Sequence, residues 1–213
     1  MFNPLKFIKQ RLIVPVVIRL LDWRYGLESE GDVKLEDLGI DPTDRTLYRP
    51  SSWFTLSKIS RVISFTQDDV FVDFGSGKGR MVFLAALHPF RKIVGVEISQ
   101  QLNEIARQNI NRNLRKLKCK NIEIVTSDVL DFSIPVDMTI AYFYNPFGGD
   151  IFKKVIANIR SSYELHPRKL WVVYMSSRPN QHLESCDWLQ RKAVSGDCYI
   201  YEPKIPACEV QCE

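Results

Sequence analysis

Between Val70 and Met175 the sequence changes period repeatedly, and that alternation restricts the fold more than any other feature. Val70–Phe74, Lys92–Val96, Ile122–Thr126, Asp137–Phe143 and Leu170–Met175 are short, apolar and of strand length. Helical patterns fall between most of them. Arg80–Leu87 is almost wholly apolar, which suits a buried helix. Residues 99–115 place Leu102, Ile105, Ala106, Ile110 and Leu114 on one stripe behind a capping Ser99, and Ile151, Val155, Ile156, Ile159 and Tyr163 form another stripe. Near the end, Trp188–Val194 and Asp197–Tyr201 flank Ser195-Gly196, and a link that short makes the two strands antiparallel. The pattern predicts an α/β three-layer sandwich: a mostly parallel, seven-strand, Rossmann-like sheet ending in an antiparallel hairpin. Ligands of such sheets lie beyond the carboxyl ends of the strands, so residues 73–80, 97–99, 127–129 and 144–149 carry the functional expectation.

The first of these stretches is Asp73-Phe74-Gly75-Ser76-Gly77-Lys78-Gly79-Arg80. Three glycines at alternate positions let a ligand approach the backbone, and N–H groups at a helix start favour electron-rich ligand atoms. A triphosphate loop needs a hydroxyl residue after its lysine, and Gly79 stands there. A dinucleotide fingerprint needs glycine at position 80, where this chain has arginine. A nucleoside cofactor lacking a pyrophosphate fits better. Glu97, ending the second strand, is placed to accept both hydroxyls of a ribose. Asp128, after the third, can accept from an exocyclic amine. Asp73 can order the loop or pair with a ligand ammonium.

With these residues in order, the chain resembles the class I (seven-strand) S-adenosylmethionine-dependent methyltransferases over roughly residues 68–202. The resemblance implies S-adenosyl-L-methionine as cofactor, held by Asp73, Gly75, Ser76, Gly77, Gly79, Glu97, Ile98, Asp128, Val129 and Asn145. Tyr144-Asn145-Pro146-Phe147 looks partly like the family's [DN]-P-P-[YF] motif but is one proline short. It implies Tyr144, Asn145 and Phe147 at the reacting centre, with a nucleobase or glutamine acceptor disfavoured. Tyr48 and Trp53, in an aromatic stretch before the first strand, are the expected acceptor-pocket residues. The acceptor expected first is a protein lysine. A small molecule and a non-catalytic cofactor-binding module are the alternatives, and no metal is implied.

Residues 1–67 read as an N-terminal helical segment and lid, and 68–213 as the cofactor-binding domain. Residues 1–24 carry five basic side chains against Asp22 alone, in a chain of net charge +4. They suit either packing on the domain or weak contact with a membrane surface or a protein. The basic run Arg107, Arg112, Arg115, Lys116, Lys118 and Lys120 lacks interleaved aromatics, so a solvated helix face is expected there rather than a nucleic-acid site. Five cysteines, an odd number, point to a reducing, cytoplasmic setting, and Cys208 and Cys212 have no second pair to complete a zinc site.

Overall fold

The computed structural model describes residues 14–204. The basic side chains before residue 14 and the Cys208/Cys212 tail lie outside the described residues.

The described residues begin with helix α1 (Val14–Tyr25), cross a loop containing a 3-10 turn at Glu36–Leu38, and enter the short α2 (Thr55–Ile59). There follow β1 (Val70–Phe74), α3 (Arg80–Ala86), β2 (Lys92–Glu97), α4 (Gln100–Asn113), β3 (Ile122–Thr126), β4 (Ile140–Phe143), α5 (Gly149–Leu165), β5 (Trp171–Met175), α6 (Gln181–Ser185), β6 (Leu189–Ser195) and β7 (Cys198–Pro203). The seven strands form one sheet in the order β3-β2-β1-β4-β5-β7-β6. β1 to β5 run parallel, and β7 is antiparallel to both β5 and β6. The expected sheet and terminal hairpin are both present. The fourth strand is shorter than expected, because Asp137 and Met138 belong to the turn that enters it.

Two apolar layers cover the sheet. Phe71, Ile93, Ile140, Tyr142, Val173 and Ile200 pack against Ile59, Ile63, Met81 and Phe83 on one face. Val72, Val94, Ala141, Phe143 and Val172 meet Phe152, Val155, Ile156 and Ile159 of α5 on the other. This is the period of two written into each strand. Leu27, Trp53, Leu56, Ile59 and Ile63 share the first core, so the segment before β1 packs as a layer on the sheet.

α4 departs from the expected stripe. Its buried positions include Asn103, Asn109 and Asn113, while Leu114 is exposed. The reason is hydrogen bonding. Asn109 Nδ2 donates to the carbonyls of Glu28 and Lys78, Asn113 Nδ2 to that of Tyr25, and Asn103 Nδ2 to those of Glu97 and Val125. Burying an amide is tolerated when it serves otherwise unpaired backbone groups. Ser99 caps the helix as expected, its Oγ accepting from Leu102 N at 3.3 Å. Within the basic run, Arg112 and Arg107 donate to backbone carbonyls of Gly26 and Ile124, and Lys116 lies over the Tyr25 ring.

Candidate active site

The strand register gathers the site. Phe74 pairs with Val96 on one side and Phe143 on the other. The next residues, Gly75, Glu97 and Tyr144, therefore leave the sheet at one level, where the strand order reverses between β1 and β4. A cleft of about 620 Å³ opens there, lined by Asp73, Ser76, Glu97, Asp128, Tyr144 and Asn145 among others. Ile98, Val129, Gly75, Phe147 and Tyr48 also line it.

The glycine loop is tied to β2. Gly75 N and Ser76 N both donate to Val96 O, at 2.8 and 3.0 Å, Gly77 N donates to Glu97 Oε2 at 3.0 Å, and Gly79 N donates to Ser76 O. This corrects the expectation that loop N–H groups face a ligand. Their donors serve β2 and the loop itself, and the anion cradle of a phosphate loop is not formed.

Glu97 is 7% exposed and accepts from two backbone donors, Gly77 N and Ser99 N, each at 3.0 Å. Burial raises its pKa above the usual carboxylate range, and those backbone bonds hold the rise in check. Its remaining lone pairs are available to hydroxyl donors. Asp73, 3% exposed, lies beside it with no hydrogen-bond donor among the described residues. Burial, and then the charge of Glu97, push its carboxyl well above the ordinary range. Among the described residues neither acid is in an ion pair, although Arg45, Arg49 and Arg80 line the same cleft.

Asp128 is already engaged. Arg45 donates to its Oδ2 at 2.5 Å, and Leu130 N donates to its Oδ1 at 2.9 Å. Arg45 belongs to a strap that crosses the cleft. Thr46 N and Oγ1 donate to Pro146 O, Thr46 Oγ1 also donates to Asn145 O, and Arg45 bridges to Phe147. Tyr48 continues the strap: its hydroxyl donates to Ser29 O, and its ring lies against Gly77, where an added Cβ would sit 2.2 Å from Tyr48 Cε2. Gly75 is likewise pressed on Pro146, with 2.5 Å between an added Cβ and the proline Cβ.

At the acceptor end, Asn145 is a non-glycine residue with φ of +43°. Tyr174 donates to its Oδ1 at 2.6 Å, and the strap holds its carbonyl, so this uncommon conformation is fixed from two sides. Tyr144, Pro50, Leu47 and Met175 give apolar walls, with Ser176, Ser177 and Asp197 beyond. Phe147 is buried and packs edge-on to Phe143, so the missing proline leaves that ring in the core wall.

Three expected residues do not line the cleft, and one of them, Gly77, is covered by the Tyr48 ring. Trp53, expected at the acceptor pocket, is buried against Tyr25 and Phe83, and its indole N–H donates to Asp22 Oδ1 at 2.9 Å. Gly79 begins α3 against Ala106, away from the cleft. Residues that sequence reading passed over are Arg45, Ser51 and Arg80. Arg80, where a dinucleotide loop has glycine, is buried. It donates to Ser29 Oγ, Ser51 O and Asp22 Oδ2 at 2.8, 3.1 and 2.6 Å. Its signal was a charged residue opening an otherwise apolar helix. Arg45 carried no periodic signal, since it lies in an irregular strap.

With this geometry in hand, a family model described as "Histone methylation protein DOT1" matches residues 45–129, which is less than half of the chain. A search of curated proteins finds no match. Among solved structures, the chain is similar to an RNA methyltransferase from Salinibacter ruber in complex with S-adenosyl-L-homocysteine. The identity is 21% and the TM-score 0.55, covering 75% of this chain and 97% of that one. A dimethyladenosine transferase from Plasmodium falciparum is 14% identical, with TM-score 0.51 over 70% of this chain and 61% of the other. MtNAS, crystallised with MTA and tNA, is 14% identical, with TM-score 0.54 over 71% and 59%. The fold is that of the class I S-adenosylmethionine-dependent methyltransferases.

Proposed function

We propose that the protein uses S-adenosylmethionine to methylate a lysine side chain of a protein acceptor. The observation that carries the cofactor assignment is Asp73: a buried carboxyl, without a protein donor among the described residues, facing the cleft beside Glu97. S-adenosylmethionine fits this donor set, because it brings an ammonium, a sulfonium and a ribose diol but no phosphate. Asp73 would hold the ammonium, Glu97 the ribose hydroxyls, and Ile98, Leu102 and Val129 the apolar faces of the base. When bound, the cofactor supplies an electrophilic methyl group. The protein's own residues supply alignment and a dry wall, from which much of the rate of such a transfer can come. Tyr48 and the strap cover the loop, and Tyr174 orients the Asn145 amide at the acceptor end.

Two observations favour lysine. The matched family model, described by histone methylation, spans the strap, the loop and both cofactor acids from Arg45 onward. The acceptor end offers apolar walls (Tyr144, Met175, Pro50) that suit an alkyl chain, with Asp197 at the rim held in an ion pair by Lys58. Free thiols at Cys119, Cys186 and Cys198 support a reducing, cytoplasmic setting.

The test has two stages. Calorimetry with S-adenosylhomocysteine compares the wild type with Glu97→Ala. The loss of charged hydrogen bonds should cost about 1.5–3 kcal/mol of affinity. Equal affinity removes the ribose assignment. Labelled-methyl transfer into separate protein, RNA and small-molecule pools then decides the acceptor. Label recovered on lysine supports the reading, and label confined to RNA or small molecules overturns it. Cofactor binding with no transfer to any pool would leave a non-catalytic module.

A further inference from the structure

We propose that α1 docks the protein on an anionic membrane surface, through an exposed apolar stripe that the domain does not use. α1 has two apolar faces. One is spent on the domain: Ile18, Leu21 and Tyr25 pack against the core, and Asp22 between them is buried under Arg80. The opposite face carries Val16, Leu20 and Trp23, which are 56%, 57% and 82% exposed. At 100° per residue these three fall within one sector about 60° wide. Arg19 borders that sector on one side and Arg24 on the other.

This order of side chains fits a bilayer interface. Tryptophan and leucine enter the headgroup boundary, while arginines at the rims reach anionic headgroups with their long stems lying along the apolar surface. The charge is complementary to such a surface. α1 contains one acid, Asp22, and it is buried and paired with Arg80. Glu30 approaches Arg19 at 3.7 Å from the following loop and is the one acid paired with the rim among the described residues. The chain before α1 adds Lys6, Lys9 and Arg11 and no acid, so its charge works in the same direction. No helix among the described residues is long and apolar enough to cross a membrane, so contact along the surface is the mode available to α1. The stripe is small, and its docking is reversible and sensitive to salt.

The full chain is tested by co-sedimentation with vesicles of phosphatidylcholine containing about a third phosphatidylserine, beside pure phosphatidylcholine. The wild type should pellet with the anionic vesicles, less with the neutral ones, and less as salt rises. The double variant Leu20→Gln, Trp23→Gln should lose at least about tenfold in partitioning while keeping its melting temperature. Both residues are exposed, and neither lines the cleft. Should that variant fold poorly, Arg19→Gln with Arg24→Gln replaces it, and brominated-lipid quenching of wild-type tryptophan fluorescence gives a reading that needs no variant. Absence of anionic-vesicle binding overturns the proposal. So does equal binding by wild type and variant, which would place the contact in the segment before α1. Self-association that the variant abolishes, without vesicle binding, would make the stripe an interface between copies and also overturns it.

Discussion

The Arg80–Asp22 pair offers the sharpest energetic test. Its side chains are 3% and 7% exposed, and the NH2–Oδ2 distance is 2.6 Å. Arg80→Met keeps most of the volume but removes the guanidinium. Asp22 then retains donors from Trp53 Nε1 and Ser29 Oγ but loses its countercharge in a dry site. Removing one member of a buried pair costs roughly 3–5 kcal/mol, because the partner's desolvation is no longer repaid. For a chain of this size that lowers the melting temperature by roughly 6–20 °C. Asp22→Asn should cost a similar amount, since it strands the guanidinium against Ser51 O and Ser29 Oγ alone. The double variant strands neither charge, so its loss should fall short of the sum of the two by about 1–3 kcal/mol. Urea unfolding followed by circular dichroism measures all four corners of the cycle. Additivity to within about 0.5 kcal/mol, or a loss below about 1 kcal/mol for Arg80→Met, would refute the view that the two charges support each other.

Two further outcomes concern the cleft. Asp73 has a raised pKa in the folded chain, so the protonated carboxyl's contribution to stability is complete below its unfolded pKa and is lost as pH rises through the folded value. An ammonium ligand needs the ionised form. Affinity for S-adenosylhomocysteine should therefore climb with pH and level off above the folded pKa, while Asp73→Asn binds weakly with a flat profile; calorimetry from about pH 5 to about pH 8 checks this, and parallel profiles would exclude the pairing. Gly77→Ala places a methyl 2.2 Å from Tyr48 Cε2 at a φ of +52°, so the strap must lift. Overpacking and the left-handed backbone together should cost about 2–4 kcal/mol, and an unchanged melting temperature would show that Tyr48 moves aside freely.

The sheet was legible because its information is local. Val70–Phe74 and Leu170–Met175 read as strands since runs buried on both faces need no partner pattern, and Ser195-Gly196 allows few connections other than a hairpin. The positions of Asp73, Glu97 and Asp128 followed from the rule that strand ends converge on the cleft. What stayed hidden depends on contacts far apart in sequence. Trp53 looked like a pocket residue until Asp22, 31 positions earlier, claimed its N–H. Nothing near Asp128 announces that Arg45, 83 residues away, neutralises it. The asparagines of α4 break the apolar stripe because they serve carbonyls of distant loops, and a periodicity argument treats such residues as solvent-facing.

The way the loop spends its N–H groups bears on what the protein meets in a cell. On the proposed assignment, adenosine phosphates share the base and ribose that the cleft residues Ile98, Val129 and Glu97 would receive, and they are abundant competitors. With Gly75, Ser76 and Gly77 already donating within the protein, a phosphate tail arriving at the loop finds few backbone donors, and the ionised forms of Asp73 and Glu97 repel it. On the proposed assignment the site would screen its milieu by refusal, favouring an adenosine with a cationic tail over one with an anionic tail before any contact with the methyl acceptor is made.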